Sequence, residues 1–321
     1  MSTTIIRKVL DRIGQPELIH LLTQTLSGTE LNTLLLEVFR RRASKLSASQ
    51  LLKHYHLNRF VKPADLPVLE LKKTELDILN IFQEHAFEPI ELSPLATLGT
   101  CSVVAPADQN KILSALRGTE VLADATNAMA LHISDLKKRK VWIGNSPSDK
   151  LRLGTIQRHV RTQSISGKGF TPHFKIGCMV TSGTDTGNFN LEKEALSEHM
   201  DLMRNLYERY YRVEQVSFRF LCRSGYPDAL TLANAVKEYI VKKQSGIKIE
   251  VVEMPEKEIG YYKGIQYKTD IKVRDQTFEI GDGGFVDWTQ QLLQNKKERY
   301  LITGFGFEFM YRIMNGMLEE N

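Results

Sequence analysis

The sequence predicts an α+β protein, a largely antiparallel sheet flanked by helices and preceded by a small helical domain. Three observations carry that expectation. Several segments with strand character arrive as neighbours without a helix between them, which argues against a doubly wound parallel sheet. Other segments repeat their apolar residues every three or four positions, as helices do. Residues 1–66 show only helical periodicity and hold about twice as many basic as acidic side chains, so they read as a basic helical domain ahead of a core at 67–321.

The elements follow in order. Ser27-Gly-Thr-Glu30 is a capping box, and Leu31, Leu34, Leu35, Val38 and Phe39 behind it share a helix face. Arg40, Arg41 and Arg42 complement the negative end of that helix. A second helix covers Ala48 to Tyr55, and Pro63 and Pro67 mark a linker. Glu75 to Ala86 reads as helix and Phe87-Glu-Pro-Ile-Glu-Leu92 as extended. A helix over Ala128 to Lys138 precedes extended segments at Arg158 to Ser164 and Phe174 to Thr181. Leu191 to Tyr211 is a long helix. Val216 to Cys222 alternates apolar and polar residues as a half-buried strand does. Ala229 to Lys243 is helical and Lys248 to Val252 a strand. Gly264 to Val273 and Thr277 to Ile280 form a hairpin turned at Arg274-Asp275-Gln276.

Composition narrows the class of protein. The chain has 321 residues, 42% hydrophobic and 25% charged, with 21 Gly, 10 Pro and 3 Cys. These values exclude disordered, collagen-like and disulfide-scaffold chains. No apolar run reaches the roughly 18 residues of a membrane span, and the N-terminus lacks the form of a signal peptide. A cytoplasmic location and no membrane partner are therefore expected. Cys101, Cys178 and Cys222 are scattered, without zinc spacing, and read as small buried hydrophobes. A net charge of +5 permits an anionic partner without demanding one.

Phosphate-loop, dinucleotide, HExxH and GxSxG signatures are absent. His54 and His56, two apart on a helix, do not share a face, so no metal is expected. Lys137-Lys138-Arg139-Lys140 reads as a solvated helix end, with nucleic-acid contact as the alternative.

One ordered set of segments remains, and over residues 73–316 it resembles the catalytic core of class II aminoacyl-tRNA synthetases, specifically the histidyl branch. Phe87 to Leu92 after a helix looks like motif 1. Val121-Leu-Ala-Asp124-Ala-Thr126 is similar to the segment LRPEGT, and Arg161-Thr-Gln163 through Phe174-Lys175-Ile-Gly-Cys-Met179 resembles motif 2. Lys257 to Gly264, containing Tyr261 and Tyr262, looks like RGLDYYTG. Gly283-Gly284-Phe-Val-Asp287 resembles GGRYD, and Gly304-Phe-Gly306-Phe-Glu308-Phe309 resembles motif 3. The resemblance implies a homodimer through motif 1 and a ligand site at Asp124, Thr126, Arg161, Lys175, Tyr261, Tyr262, Gly264, Gly304 and Gly306. Asp124 and Thr126 would face an amino group, and Arg161 an α-phosphate.

Departures from the family pattern fall where amino-acid activation needs cations on the triphosphate. Phe309 replaces the motif 3 arginine. Gly169 replaces the γ-phosphate arginine, with Lys168 beside it. Gln163 stands for an acid and Lys257 for an arginine, which loses the bidentate fork. Lys175 and Met179 stand where the resemblance implies histidine-binding side chains, so a histidine pocket is not expected. ATP and Mg are the cofactors the family would use, and the loss at Phe309 weakens both.

Plainer readings stand beside these. Asp124 also suits a helix cap, Arg161 and Lys175 suit exposed strand positions, and the tyrosines suit a sheet face. Gly304 and Gly306 also suit close backbone packing. The expected function is a histidyl-synthetase-like paralogue that does not charge tRNA and binds a small amino-acid-like or anionic ligand, leaning away from an enzyme. That reading also rests on the absence of an anticodon-binding domain between motif 3 and Asn321. An ATP-dependent ligase for another carboxylic acid is the alternative, and a nucleic-acid-binding module the third. An RNA or protein partner remains compatible with all three.

Overall fold

The computed structural model describes residues 3–142, 146, 149–163, 171–253 and 260–318. Helices α1 (Thr3–Ile13), α2 (Leu18–His20), α3 (Gly28–Ala43) and α4 (Ala48–Leu57) come first. Both elements of the Ser27/Glu30 capping box are present, and Ser47 with Gln50 forms a second box ahead of α4. Good caps define α3 and α4, yet α2, α3 and α4 contain no buried residue. The first 66 residues touch the rest through polar contacts, among them Asn32 Oδ1 with Arg117 N (2.7 Å) and Arg59 with Thr162 O (2.6 Å), and through Leu66, which packs against the core.

Helix α5 (Val68–Glu84) starts seven residues before the expected Glu75, because Pro67 already serves as its N-cap and Leu71 and Glu75 are buried with Ile78 and Phe82. It leads to β1 (Glu88–Pro89), shorter than the extended segment expected there. A small antiparallel sheet follows from β2 (Leu95–Thr97), β3 (Ser114–Ala115) and β4 (Thr119–Val121), in the order β2-β4-β3. Next come α6 (Ala125–Lys138), β5 (Leu151–Val160), β6 (His173–Thr184), α7 (Asn190–Arg204) and β7 (Gln215–Cys222). The expected helix to Tyr211 widens into a π-helical turn over Asn205–Tyr210. The chain closes with α8 (Ala229–Lys243), β8 (Ile249–Val252), β9 (Lys263–Val273), β10 (Gln276–Val286), α9 (Trp288–Leu293), β11 (Glu298–Phe305) and α10 (Phe307–Met314). β10 runs beyond the expected Ile280, and β5 ends at Val160 rather than continuing past Arg161.

The main sheet has eight strands in the order β1-β5-β6-β11-β10-β9-β7-β8. Only β1 with β5 and β7 with β8 are parallel among these pairs. The β9–β10 hairpin turns at Arg274 and Asp275, both with positive φ, as a two-residue turn of this hand requires. Side chains alternate between the two faces. Leu153, Cys178 and Ile302 pack toward α6 and α9, whereas Ile156, Met179 and Leu301 pack toward α5, α7 and α8. At Gly154 an added Cβ would sit 2.5 Å from the Phe82 ring, so α5 approaches the sheet where a side chain is missing. Substituting that glycine with alanine would overpack the contact by about 1–3 kcal/mol.

Candidate functional site

Two adjoining cavities open above β5, β6, β10 and β11. The first, about 320 Å³, is lined by six of the expected residues: Asp124, Thr126, Arg161, Tyr261, Tyr262 and Gly304. The second, about 370 Å³, holds Lys175 and Gly306 together with Glu308 and Phe309. Arg161, Ile176, Asp282 and Gly304 belong to both. Gly264 lines neither. Its φ of +68° and an added Cβ 2.6 Å from the Tyr226 ring make it a packing glycine, so its place among the expected site residues is corrected. Lys168, Gly169 and Lys257 lie outside the described residues. A cleft of about 420 Å³ lined by Glu194, Glu198, Asp201 and Lys243 contains none of the expected residues.

Asp124 is the N-cap of α6, and its Oδ1 accepts from Thr126 N (2.9 Å) and Thr126 Oγ1 (2.7 Å). The cap reading is therefore correct, and it leaves Oδ2, which receives only a long 3.5 Å contact from Tyr261 among the described residues. Arg161 follows β5, donates Nε–H to Ala123 O (3.1 Å) and lies over the Phe174 ring at 5.5 Å. Tyr261 and Tyr262 meet edge to face at 4.9 Å, and Tyr261 packs on Trp288 at 5.1 Å. Burial, reinforced by nearby carboxylates, pushes both phenols well above their ordinary pKa, so both remain protonated. Tyr262 donates to Asp282, which also accepts from Gln266 Nε2 (2.9 Å) and pairs with Lys268 (2.8 Å).

Lys175, expected in the ligand site, lines the second cavity but is ion-paired there: its Nζ donates to Glu75 of α5 at 2.5 Å, and Glu75 also pairs with Lys72. Burial lowers the Lys175 pKa against that partner. Met179 lies in the core beneath α5 and α7, on the opposite face from the cavity, so it does not determine what the pocket excludes. The residues that β6 turns to the cavity are Ile176 and Cys178, one step along the strand.

Three residues of the first cavity with ionisable side chains were not anticipated as site residues: His159, Cys178 and Asp282. His159 stands two before Arg161, so the period of two on a strand could have flagged it. Asp282 sits immediately before the Gly283-Gly284 pair. Burial raises the Cys178 pKa, and Cys101, near Asp124, is pushed up to about 12 by burial and the neighbouring acids Asp124 and Glu120. Neither thiol is a reactive thiolate. All three cysteines are buried, as expected. No cluster of metal-ligating side chains occurs among the described residues, and no described helix is long and apolar enough to cross a membrane.

No protein-family model matches the sequence, and no curated protein matches it. Among solved structures the chain is similar to S. aureus histidyl-tRNA synthetase, at 11% identity and a TM-score of 0.58 over 81% of this chain and 70% of that one. It is similar to an ATP phosphoribosyltransferase regulatory subunit/histidyl-tRNA synthetase from Bacillus halodurans at 14% identity, with a TM-score of 0.58 over 80% and 83%. The RNA-binding domain of threonyl-tRNA synthetase from Cryptosporidium parvum matches at 11% identity and 0.58 over 76% and 63%. The fold is that of the class II aminoacyl-tRNA synthetase core. Two of these three structures carry the histidyl name, in keeping with the resemblance read from the motifs, and at this identity the fold is what is shared.

Proposed function

We propose that this chain is a histidyl-synthetase-like paralogue that binds a small amino-acid-like ligand in the first cavity and does not charge tRNA. The carrying observation is the charge arrangement there. Asp124 Oδ2 is available to an ammonium group, Arg161 has no carboxylate partner among the described residues, and tyrosines wall the space between. A zwitterion matches that pattern. The second cavity, where a nucleotide would extend, supports the non-activating half of the reading. Its two described cations are Arg161 and the ion-paired Lys175, set against Glu279, Asp282 and Glu308, with Phe309 in the wall.

The continuity of the two cavities through Arg161 and Gly304 favours one alternative, a ligase that adenylates another carboxylic acid with ATP and Mg. We further propose that residues 1–66 form a separate helical unit, in a cytoplasmic protein. Two copies pair along α5, whose Leu69 and Leu76 lie seven apart and are exposed.

Asn is as good an N-cap as Asp, which makes Asp124→Asn a clean test. In a thermal-shift screen of amino acids and related metabolites, at least one compound should stabilise the wild type. Asp124→Asn should abolish that shift while leaving the free protein's melting temperature within about 2 °C, a change worth less than about 1 kcal/mol. No stabilising compound, or an equal shift in the variant, would contradict the ligand assignment.

A further inference from the structure

The buried ring of His159 is a cavity group whose chemistry the reading above leaves unused. It is fully buried, at 0% exposure, yet it lines the first cavity with Asp124 and Arg161. Its Nε2 accepts from the backbone N–H of Ala125 at 3.1 Å, in the first turn of α6. A nitrogen that accepts a hydrogen bond carries no proton, so the ring is neutral and its single proton is on Nδ1. That Nδ1 has no hydrogen-bond partner among the described residues. A buried donor without an acceptor costs about 1–3 kcal/mol, and here the ring that carries it lines a space large enough for a small molecule. Burial lowers the His159 pKa to about 4, with Asp124 opposing and Arg161 assisting, in keeping with the neutral form.

We propose that His159 Nδ1–H and the Arg161 guanidinium together form a carboxylate subsite in the first cavity. His159 and Arg161 are two residues apart on one extended segment, so their side chains leave the same face. One cation and one neutral donor suit a monoanion. A phosphate dianion would meet a single Arg161 charge while facing the carboxylates of Asp124 and Asp282. Asp124 Oδ2 then takes the ammonium end of the same molecule. This subsite deepens the amino-acid reading and rests on it for the ligand's orientation.

The test uses the full chain with ¹⁵N-labelled histidine at pH 7, read by the ring nitrogen resonances. The free protein should show His159 in the neutral, Nδ1-protonated form. The twenty L-amino acids, acetate and pyruvate are then added one at a time, with ethylamine as a probe lacking the carboxylate. A carboxylate probe should move the Nδ1 signal, and ethylamine should not. His159→Gln places an acceptor near the Nε2 position for Ala125 N–H and removes the δ donor. It should weaken carboxylate binding about tenfold to a hundredfold without lowering the free protein's melting temperature.

An Nε2-protonated ring in the free protein overturns the subsite. So does an amino acid that binds wild type and His159→Gln equally, a result that leaves the amino-acid reading standing. If acetate or pyruvate moves Nδ1 while no amino acid binds, the subsite stands and the amino-acid reading fails. If no probe moves Nδ1, the subsite is overturned whether or not His159→Gln folds.

Discussion

Gly304 lines both cavities with backbone alone. A Cβ there would meet only Ile176 Cδ1, at 3.6 Å, which is ordinary contact. The glycine leaves the shared lining open and does not accommodate a packed neighbour. Gly304→Val should therefore change folding stability by no more than about 1 kcal/mol, and should abolish ligand-induced stabilisation. Paired melting curves with and without the ligand measure both. Gly306 differs, because an added Cβ would lie 2.9 Å from Phe309 Cβ. Close packing and an open wall look alike in the string Gly-Phe-Gly, so this distinction was not legible there. Asp124, Thr126, Arg161 and the tyrosine pair were legible because short-range motifs hold them together. The partner of Lys175 was not, since Glu75 is a hundred positions away in sequence.

His199 carries a pH prediction. It is buried between Thr181 Oγ1 (2.9 Å) and Thr303 Oγ1 (2.6 Å), and burial lowers its pKa to about 3. The unfolded chain binds a proton here near pH 6.5 and the folded chain does not. The stabilisation is therefore fully present above about 6.5 and is lost as pH falls toward the folded value. Each such histidine contributes a slope of at most about 1.4 kcal/mol per pH unit in that window. Urea unfolding of His199→Gln between pH 6.5 and 4 should show a slope shallower by that amount, and an unchanged slope would contradict the assignment.

At the scale of elements, local chemistry decided what could be read. The Ser27 capping box, the two-period of Val216 to Cys222 and the span Ala229–Lys243 all correspond to elements of the fold, because caps and periodicity act over a few residues. The early start of α5 and the facing of Met179 depend on which side of the sheet packs against which helix. A one-residue step along β6 exchanges Met179 for Cys178 at the cavity. Helices α3 and α4 present the opposite case, well capped locally and unburied globally. Eighteen of the twenty-five exposed large apolar side chains among the described residues lie between Ile5 and Leu69. The basic composition was plain in the sequence, but the exposure of those apolar faces was not, since amphipathic periodicity predicts burial without saying against what.

A chain beginning at residue 67 tests the proposed division. It loses the contacts from Asn32 and Arg59 and the bond between Lys62 O and His173 Nε2 (2.5 Å), each worth about 0.5–1.5 kcal/mol, together with the packing of Leu66 on the core. It should unfold in one cooperative step, with its melting temperature lowered by less than about 10 °C. If α5 makes the two-fold contact, the shortened chain should still sediment as a dimer at micromolar concentration. A monomer, or a chain that fails to fold, would contradict that division of the molecule.

For the molecule as a whole, the sheet order and its two-sided core follow the class II synthetase plan, while the cation set expected of an activating enzyme is depleted. Phe309 stands at the motif 3 position and Gly169 at that of the γ-phosphate arginine in the sequence, and Arg161 stands without an ion-pair partner among the described residues. Each missing charge-assisted contact is worth about 1.5–3 kcal/mol, so on the proposed reading the loss of two would slow adenylate formation by orders of magnitude. The most direct measurement is amino-acid-dependent ATP–pyrophosphate exchange, screened over all twenty amino acids with the full chain. The account predicts no exchange above the amino-acid-free background for any of them. Exchange stimulated by even one amino acid, at a rate that Arg161→Ala removes, would contradict it and establish an activating enzyme.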